Sequence, residues 1–194
     1  MKNIVLYGGS FNPPCVHHVQ IVRAIAKNPF FNKIVVIPCG QRGDKNYVDN
    51  HLRMRMVENA FAGIARIVLD MRNLIDDIFT SDYHLETLYQ AHDVALWHAV
   101  GSDCLVRDDR VGLNLIQRRW TEGLLVWKNF GFLIIPRNGY PVEIKFLPKR
   151  CIILQDEFVG SSTDVRNAIR KGAPFKHLVD FKTYDLIVRK NLYR

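Results

Sequence analysis

The chain has 194 residues, 48% of them hydrophobic and 24% charged, a balance that excludes bulk disorder and leaves enough length to bury a core as one domain. No run of about 18 uninterrupted apolar residues occurs, and no basic segment leads into an apolar stretch and a small-residue cleavage site, so we expect a soluble, cytoplasmic protein with no membrane partner. The formal charge of +8 attracts polyanions of every kind, but the chain has no long basic block, no zinc-finger spacing and no aromatic RNA-binding signature, which argues against nucleic acid.

Short β-branched runs alternate with helix-length amphipathic stretches. In chain order, a strand at 3–7 leads through a loop to a helix at 17–27, and a strand at 33–37 precedes a helix at 51–62. A strand at 66–69 is followed by a helix at 83–92, and a strand at 94–100 by a helix at 115–129. Strands at 132–135 and 150–154 then lead to helices at 162–170 and 181–190. The first strand-to-strand spacing, about thirty residues, suits a right-handed βαβ crossover. The expected fold class is α/β, a mostly parallel sheet with helices on both faces. One domain spans 1–194, with a helical C-terminal part over about 160–194. Two polar loops, 40–50 and 103–112, follow strands; in open α/β sheets ligands lie beyond the carboxyl ends of strands. Cys15, Cys39, Cys104 and Cys151 are scattered, as reduced thiols are.

The stretch GGSFNPPCVHH, from Gly8 to His18, breaks this alternation. Gly8 and Gly9 are expected to turn the chain sharply and let backbone approach a ligand, with Asn12-Pro13-Pro14 stiffening the loop. The helix starting near His17 and His18 offers free N–H groups and its dipole to an anion. A surface turn with a satisfied histidine pair is the bland alternative. A zinc site of Cys15, His17 and His18 ranks low, because no fourth ligand stands at CxxC or HxxxH spacing. The phosphate-loop pattern GxxxxGK[ST], GxGxxG and HExxH are absent. A second constellation, Gly160-Ser161-Ser162-Thr163-Asp164-Val165-Arg166, also follows a strand. Ser161 or Ser162 can cap the helix there, and Arg166 can reach back from one turn in. Two anion-ready helix starts, each after a strand, point to a polyphosphate between them.

These residues resemble the nicotinamide or nicotinate mononucleotide adenylyltransferases, within the nucleotidyltransferase superfamily. GGSFNPPCVHH is similar to that family's GG-[TS]-F-[DN]-P loop ending in [HT]-x-x-H, and SSTDVR to its SST-x-[IV]-R. YHLETL from Tyr83, GSD from Gly101, Trp120, PRNGYP from Pro136, Arg53 with Met56, and the closing Asn-Leu-Tyr agree in order. The resemblance implies a Rossmann-like nucleotidyltransferase fold and adenylyl transfer from ATP to nicotinamide or nicotinate mononucleotide, with pyrophosphate released. Magnesium (Mg2+) would be carried by the substrate phosphates, with no metal site on the protein. His18 and Arg166 would be catalytic, His18 donating near the α-phosphate and Arg166 holding the β,γ-phosphates. Gly8, Gly9, Ser10, Phe11, Cys15, Gly101 and Asp103 would line the ATP site together with Ser161, Ser162 and Thr163. Lys45, Thr87, Trp120 and Arg137 would meet the mononucleotide. Read without the resemblance, Trp120 is equally core packing, Thr87 a helix-surface residue and Asp103 a loop cap.

The pattern also departs from the family. Cys15 stands where members have His or Thr, a thiol being a weak imitation of a hydroxyl. His17 stands where the bacterial pattern has Gly, and Asn12 leans toward the nicotinamide-using branch. Rival readings are adenylyl or cytidylyl transfer to another phosphate such as phosphopantetheine, and a catalytically degenerate nucleotide-binding sensor. Self-association into a homo-oligomer stays open.

Overall fold

The computed structural model describes residues 1–41, 46–76 and 93–194. Strands β1 (Lys2–Gly9), β2 (Lys33–Pro38), β3 (Ile67–Leu69), β4 (Val94–Gly101), β5 (Gly131–Ile135) and β6 (Cys151–Ile153) form one six-stranded sheet in the order β3-β2-β1-β4-β5-β6. Every neighbouring pair is parallel. The described helices are α1 (Val16–Lys27), α2 (Asn50–Phe61), α3 (Arg72–Ile75), α4 (Leu115–Arg119), α5 (Gly123–Asn129), α6 (Ser162–Arg170) and α7 (Phe181–Arg189).

The strands are apolar without alternation because both faces are covered. Val5, Tyr7, Val36 and Leu133 pack with Ile21, Val22 and Ile25 of α1 and Val57 and Phe61 of α2. Their neighbours Ile4, Leu6, Val35 and Ile37 form a second cluster, and Phe132 and Ile134 join Ile116 of α4 and Val126 of α5 in a third. Each such side chain contributes about 1.5–3 kcal/mol by leaving water. The expected parallel sheet with flanking helices is therefore the observed one. Strand order reverses between β1 and β4, which opens a crevice at their carboxyl ends, where the loops after them meet.

Two local expectations change. The apolar pattern at 115–129 is two helices, since Glu122 takes a left-handed φ of 50°. Gly123 then sits so close to α4 that a Cβ would lie 2.2 Å from the Ile116 carbonyl oxygen. The apolar period runs on across that break, so only the backbone contact reveals it. Gly8 and Gly9 do not turn: they stay in β1, paired with Ile37 and Pro38 of β2. The expected helix at 83–92, with Thr87, and the loop residue Lys45 lie outside the described residues. Among the described residues, no helix is long and apolar enough to cross a membrane, and all four cysteines are free thiols.

Candidate active site at the carboxyl ends of β1, β4 and β6

The chain leaves β1 at Phe11, whose φ of 43° turns the backbone, ahead of a cis Asn12–Pro13 bond. The Phe11 ring is buried and stands edge-on to Tyr7, Phe61 and His18, at centroid distances of 5.6, 5.6 and 5.1 Å. A Cβ on Gly9 would meet that ring at 2.9 Å, so the absence of a side chain at Gly9 is what lets the ring anchor the loop. Other groups hold the loop from outside. Asn12 Nδ2 donates to the Asn46 carbonyl (3.1 Å), and Asn12 Oδ1 accepts from the Tyr193 hydroxyl (2.8 Å). Fully buried Arg53 donates from Nη1 to the Ser10 carbonyl (2.9 Å), with its guanidinium 4.3 Å from the centre of the Tyr47 ring. The Tyr47 and Ser10 hydroxyls are 2.9 Å apart.

Cys15 is the N-cap of α1. Its backbone N–H donates to His18 Nδ1 at 3.0 Å, the returning half of a capping box. Because a backbone N–H can only donate, Nδ1 is the unprotonated nitrogen, and a neutral imidazole then carries its proton on Nε2. Burial, and after it the charges of His17 and Arg137, hold His18 well below the usual histidine range, so the ring is neutral. His18 is half-buried, with its proton on Nε2. His17 is buried, and desolvation followed by Arg137 lowers it to about 4 against the opposing pull of Asp164. The Cys15 sulfur lies 3.1 Å from His17 Nδ1 and 3.2 Å from His18 Nδ1. Burial pushes this thiol up to about 12, with the Ser162 hydroxyl opposing.

The second helix start closes on the first. Ser161 caps α6, its Oγ accepting from the Asp164 N–H (3.1 Å) and donating to the Asp164 carboxylate (2.8 Å). Ser162 Oγ donates across to the Pro13 carbonyl at 2.8 Å. Arg166 donates from Nη1 to the Asn12 carbonyl (2.7 Å) and from Nη2 to Thr163 Oγ1 (3.0 Å). Gly160, at a φ of 123°, lies over the His17 ring; a Cβ there would be 3.5 Å from Nδ1.

At the end of β4, Asp103 Oδ1 and Arg137 Nε pair at 3.1 Å. They press on Gly101, where a Cβ would meet them at 2.2 and 2.4 Å, so this ion pair requires glycine. Arg137, through its effect on His17 and His18, is electrostatically part of the same cradle. A cavity of about 730 Å³ opens alongside, lined by Asp103, Arg107, Asp109, Arg110, Arg118 and Tyr140, a volume within the range of small-molecule sites. Trp120 is half-buried against the third core cluster, its ring edge-on to His98 at 5.1 Å.

The structure thus brings Gly9, Ser10, Phe11, Cys15, His18, Ser161, Ser162, Thr163 and Arg166 around one cradle, with Gly101, Asp103 and Arg137 adjoining and Trp120 set in the packing beside β4. Arg53, Tyr47 and Tyr193 hold the cradle loop, and sequence reasoning gave them no role in the site. Their only signals are the spacing of Arg53 and Met56 in α2 and the closing Asn-Leu-Tyr.

Residues 6–168 match the protein-family model described as cytidylyltransferase-like. Over the whole of both chains, the protein is 28% identical to the "Probable nicotinate-nucleotide adenylyltransferase" of Clostridium tetani. It is 24% identical to a Fusobacterium nucleatum protein of the same description, over 96% of this chain and 97% of that one. Among solved structures, Plasmodium falciparum nicotinic acid mononucleotide adenylyltransferase complexed with NaAD superposes with a TM-score of 0.75 at 25% identity, covering 100% of this chain and 98% of that one. The family match runs from inside β1 to inside α6, and so includes both helix starts. The chain belongs to the cytidylyltransferase-like family of the nucleotidyltransferase superfamily, alongside the nicotinate-nucleotide adenylyltransferases.

Proposed function

We propose that this protein transfers the adenylyl group of ATP to nicotinate or nicotinamide mononucleotide, forming the dinucleotide and pyrophosphate. One observation carries the reading: the N-termini of α1 and α6 are strapped together by Ser162 on the Pro13 carbonyl and Arg166 on the Asn12 carbonyl. Two positive helix ends fixed at one place suit a chain of phosphates.

In the reaction, an oxygen of the mononucleotide's phosphate attacks the α-phosphorus of ATP. The bond from that phosphorus to the bridging oxygen breaks, and pyrophosphate leaves with the electron pair. The nucleophile is already anionic near neutral pH, so the work is positioning and charge stabilisation. His18 donates its Nε2–H to an α-phosphate oxygen, where charge accumulates. Arg166 has five N–H donors, of which the loop and Thr163 use two, and the others hold the leaving phosphates with Ser161, Ser162 and Thr163. Gly8, Gly9, Ser10 and Phe11 offer backbone to the nucleotides, and Gly101 and Asp103 line the ATP side. The cavity beside Asp103 takes a nucleoside portion. Arg137 and Trp120, with Lys45 and Thr87, are assigned to the mononucleotide.

Magnesium fits as an ion carried by the phosphates. The cradle offers a thiol, two imidazoles, hydroxyls and a guanidinium, while the adjoining carboxylates of Asp103 and Asp164 are engaged by Arg137 and Ser161. Such a set gives a hard cation few oxygen ligands from the chain. When bound, the ion would neutralise phosphate charge.

The relatives' names favour nicotinate as acceptor. Asn12, which leaned the other way in the sequence, spends its side chain on Asn46 and Tyr193 and so provides no acceptor contact. Free thiols fit a cytoplasmic site of action. Parallel assays with ATP, magnesium and each mononucleotide test the reading. Dinucleotide and pyrophosphate should appear in equal amounts, faster with nicotinate mononucleotide; nucleotide binding without product from either would refute it.

A further inference from the structure

Cys15, His17 and His18 converge more tightly than a phosphate cradle requires. Sγ lies 3.1 and 3.2 Å from the two Nδ1 atoms, and one ligand atom from each residue falls within 4.8 Å of the others. In a tetrahedral zinc site, with Zn–S about 2.3 Å and Zn–N about 2.0–2.1 Å, neighbouring sulfur and nitrogen are separated by about 3.5 Å. The observed spacing is within a few tenths of an ångström of that. A thiolate with two imidazoles is a soft donor set, which selects zinc-class ions over magnesium.

The surroundings hold the three ligands in place. Cys15 is fixed as the N-cap of α1, Phe11 stands edge-on to His18 at 5.1 Å, and Gly160 lies over His17. The two imidazole rings stack obliquely with centroids 3.9 Å apart, and they spread by about 1 Å to share one tetrahedral ion. Among the described residues no fourth His, Cys, Asp or Glu joins these three, which suits a three-ligand site with one open position. Ser162 Oγ, 3.9 Å from the sulfur, stands next to that position.

We propose that Cys15, His17 and His18 form a binding site for a soft divalent ion of the zinc class, separate from the magnesium carried by substrate phosphates. On binding, the S–H bond breaks, its proton goes to solvent, and a sulfur–metal bond forms; each imidazole binds neutral through a ring nitrogen. His18 Nδ1 exchanges the Cys15 N–H for the ion, so the metal and the cradle share one imidazole. The site stands on its own geometry, whatever group the protein transfers.

Titrating reduced, metal-free protein with Co2+ tests this without reference to activity. A thiolate-to-cobalt charge-transfer band and the d–d bands of tetrahedral cobalt should grow to saturation at about one equivalent and be bleached by Zn2+. Cys15→Ser, nearly isosteric, should lose the charge-transfer band while melting like the wild type. His17→Gln should weaken cobalt binding by about tenfold or more, and Cys39→Ser should leave the band unchanged. No band in the wild type overturns the proposal, as does a band that survives in Cys15→Ser.

Discussion

The two helix starts that close on the cradle look alike in sequence and are built by different chemistry. At α6, a serine hydroxyl caps the helix, Thr163 is exposed, and Ser162 and Arg166 reach across to the carbonyls of Pro13 and Asn12. At α1, the capping partner is His18, with Cys15 and His17 buried beside it. Gripping charge suits half-buried hydroxyls, the exposed Thr163 and a guanidinium with donors to spare. A neutral imidazole with one tautomer needs a desolvated setting and a fixed donor to its unprotonated nitrogen, which the Cys15 N–H supplies. Under the proposed function, gripping falls to α6 and donation at the reacting phosphorus to α1.

The largest effect should come from removing the donor. His18→Ala is expected to lower turnover by about 10²–10⁴-fold, while losing only about 1 kcal/mol of stability through the cap. Near-wild-type turnover in steady-state kinetics would erase the distinction between the two starts.

Acid should loosen α1 before α6. His17 is held near 4 in the fold against an ordinary value near 6.5, and His98, enclosed by Trp120, Phe130 and Phe132, is also held near 4 by burial. As pH falls below about 6.5, the unfolded chain binds protons that the folded chain does not. Stability is therefore fully present above about 6.5 and declines down to about 4, by roughly 3 kcal/mol for each histidine. Denaturant midpoints measured from pH 7 to 4 should fall, and less steeply in His17→Gln; a flat profile would contradict the burial of these rings.

Smaller changes sharpen the contrast. Ser162→Ala removes the strap to Pro13 and should cost about 1 kcal/mol in chemical denaturation; an unchanged midpoint would mean that the strap holds nothing. Cys15→Thr should keep turnover within about threefold, because a hydroxyl can take the thiol's place at the N-cap. A hundredfold loss would assign the sulfur a role of its own in transfer.

Much of the fold was legible because strands buried on both faces are apolar without interruption, and all six expected strands form. The break between α4 and α5 was not, because it depends on Gly123 meeting the Ile116 carbonyl and the apolar period gives no sign of it. The turn after β1 was misplaced for a similar reason. Gly8 and Gly9 look like turn formers, but pairing with Ile37 and Pro38 keeps them extended, and Gly9 is needed to make room for the Phe11 ring. In the site, the two helix starts could be read from SST and the histidine pair. The reach of Arg166 to Asn12 and of Tyr193 to the same residue joins segments far apart in the chain, and only closure of the fold discloses it. The meeting of Cys15 with both histidine rings depends on rotamers, which no spacing rule specifies.

Pyrophosphate binding, followed by titration calorimetry in the wild type, His18→Ala and Arg166→Ala, tests the division of labour between the helix starts most directly. Arg166→Ala should weaken pyrophosphate binding by about tenfold or more, while His18→Ala stays within about threefold of the wild type yet fails to turn over. Equal loss of binding in both variants, or unimpaired binding in Arg166→Ala, would contradict it.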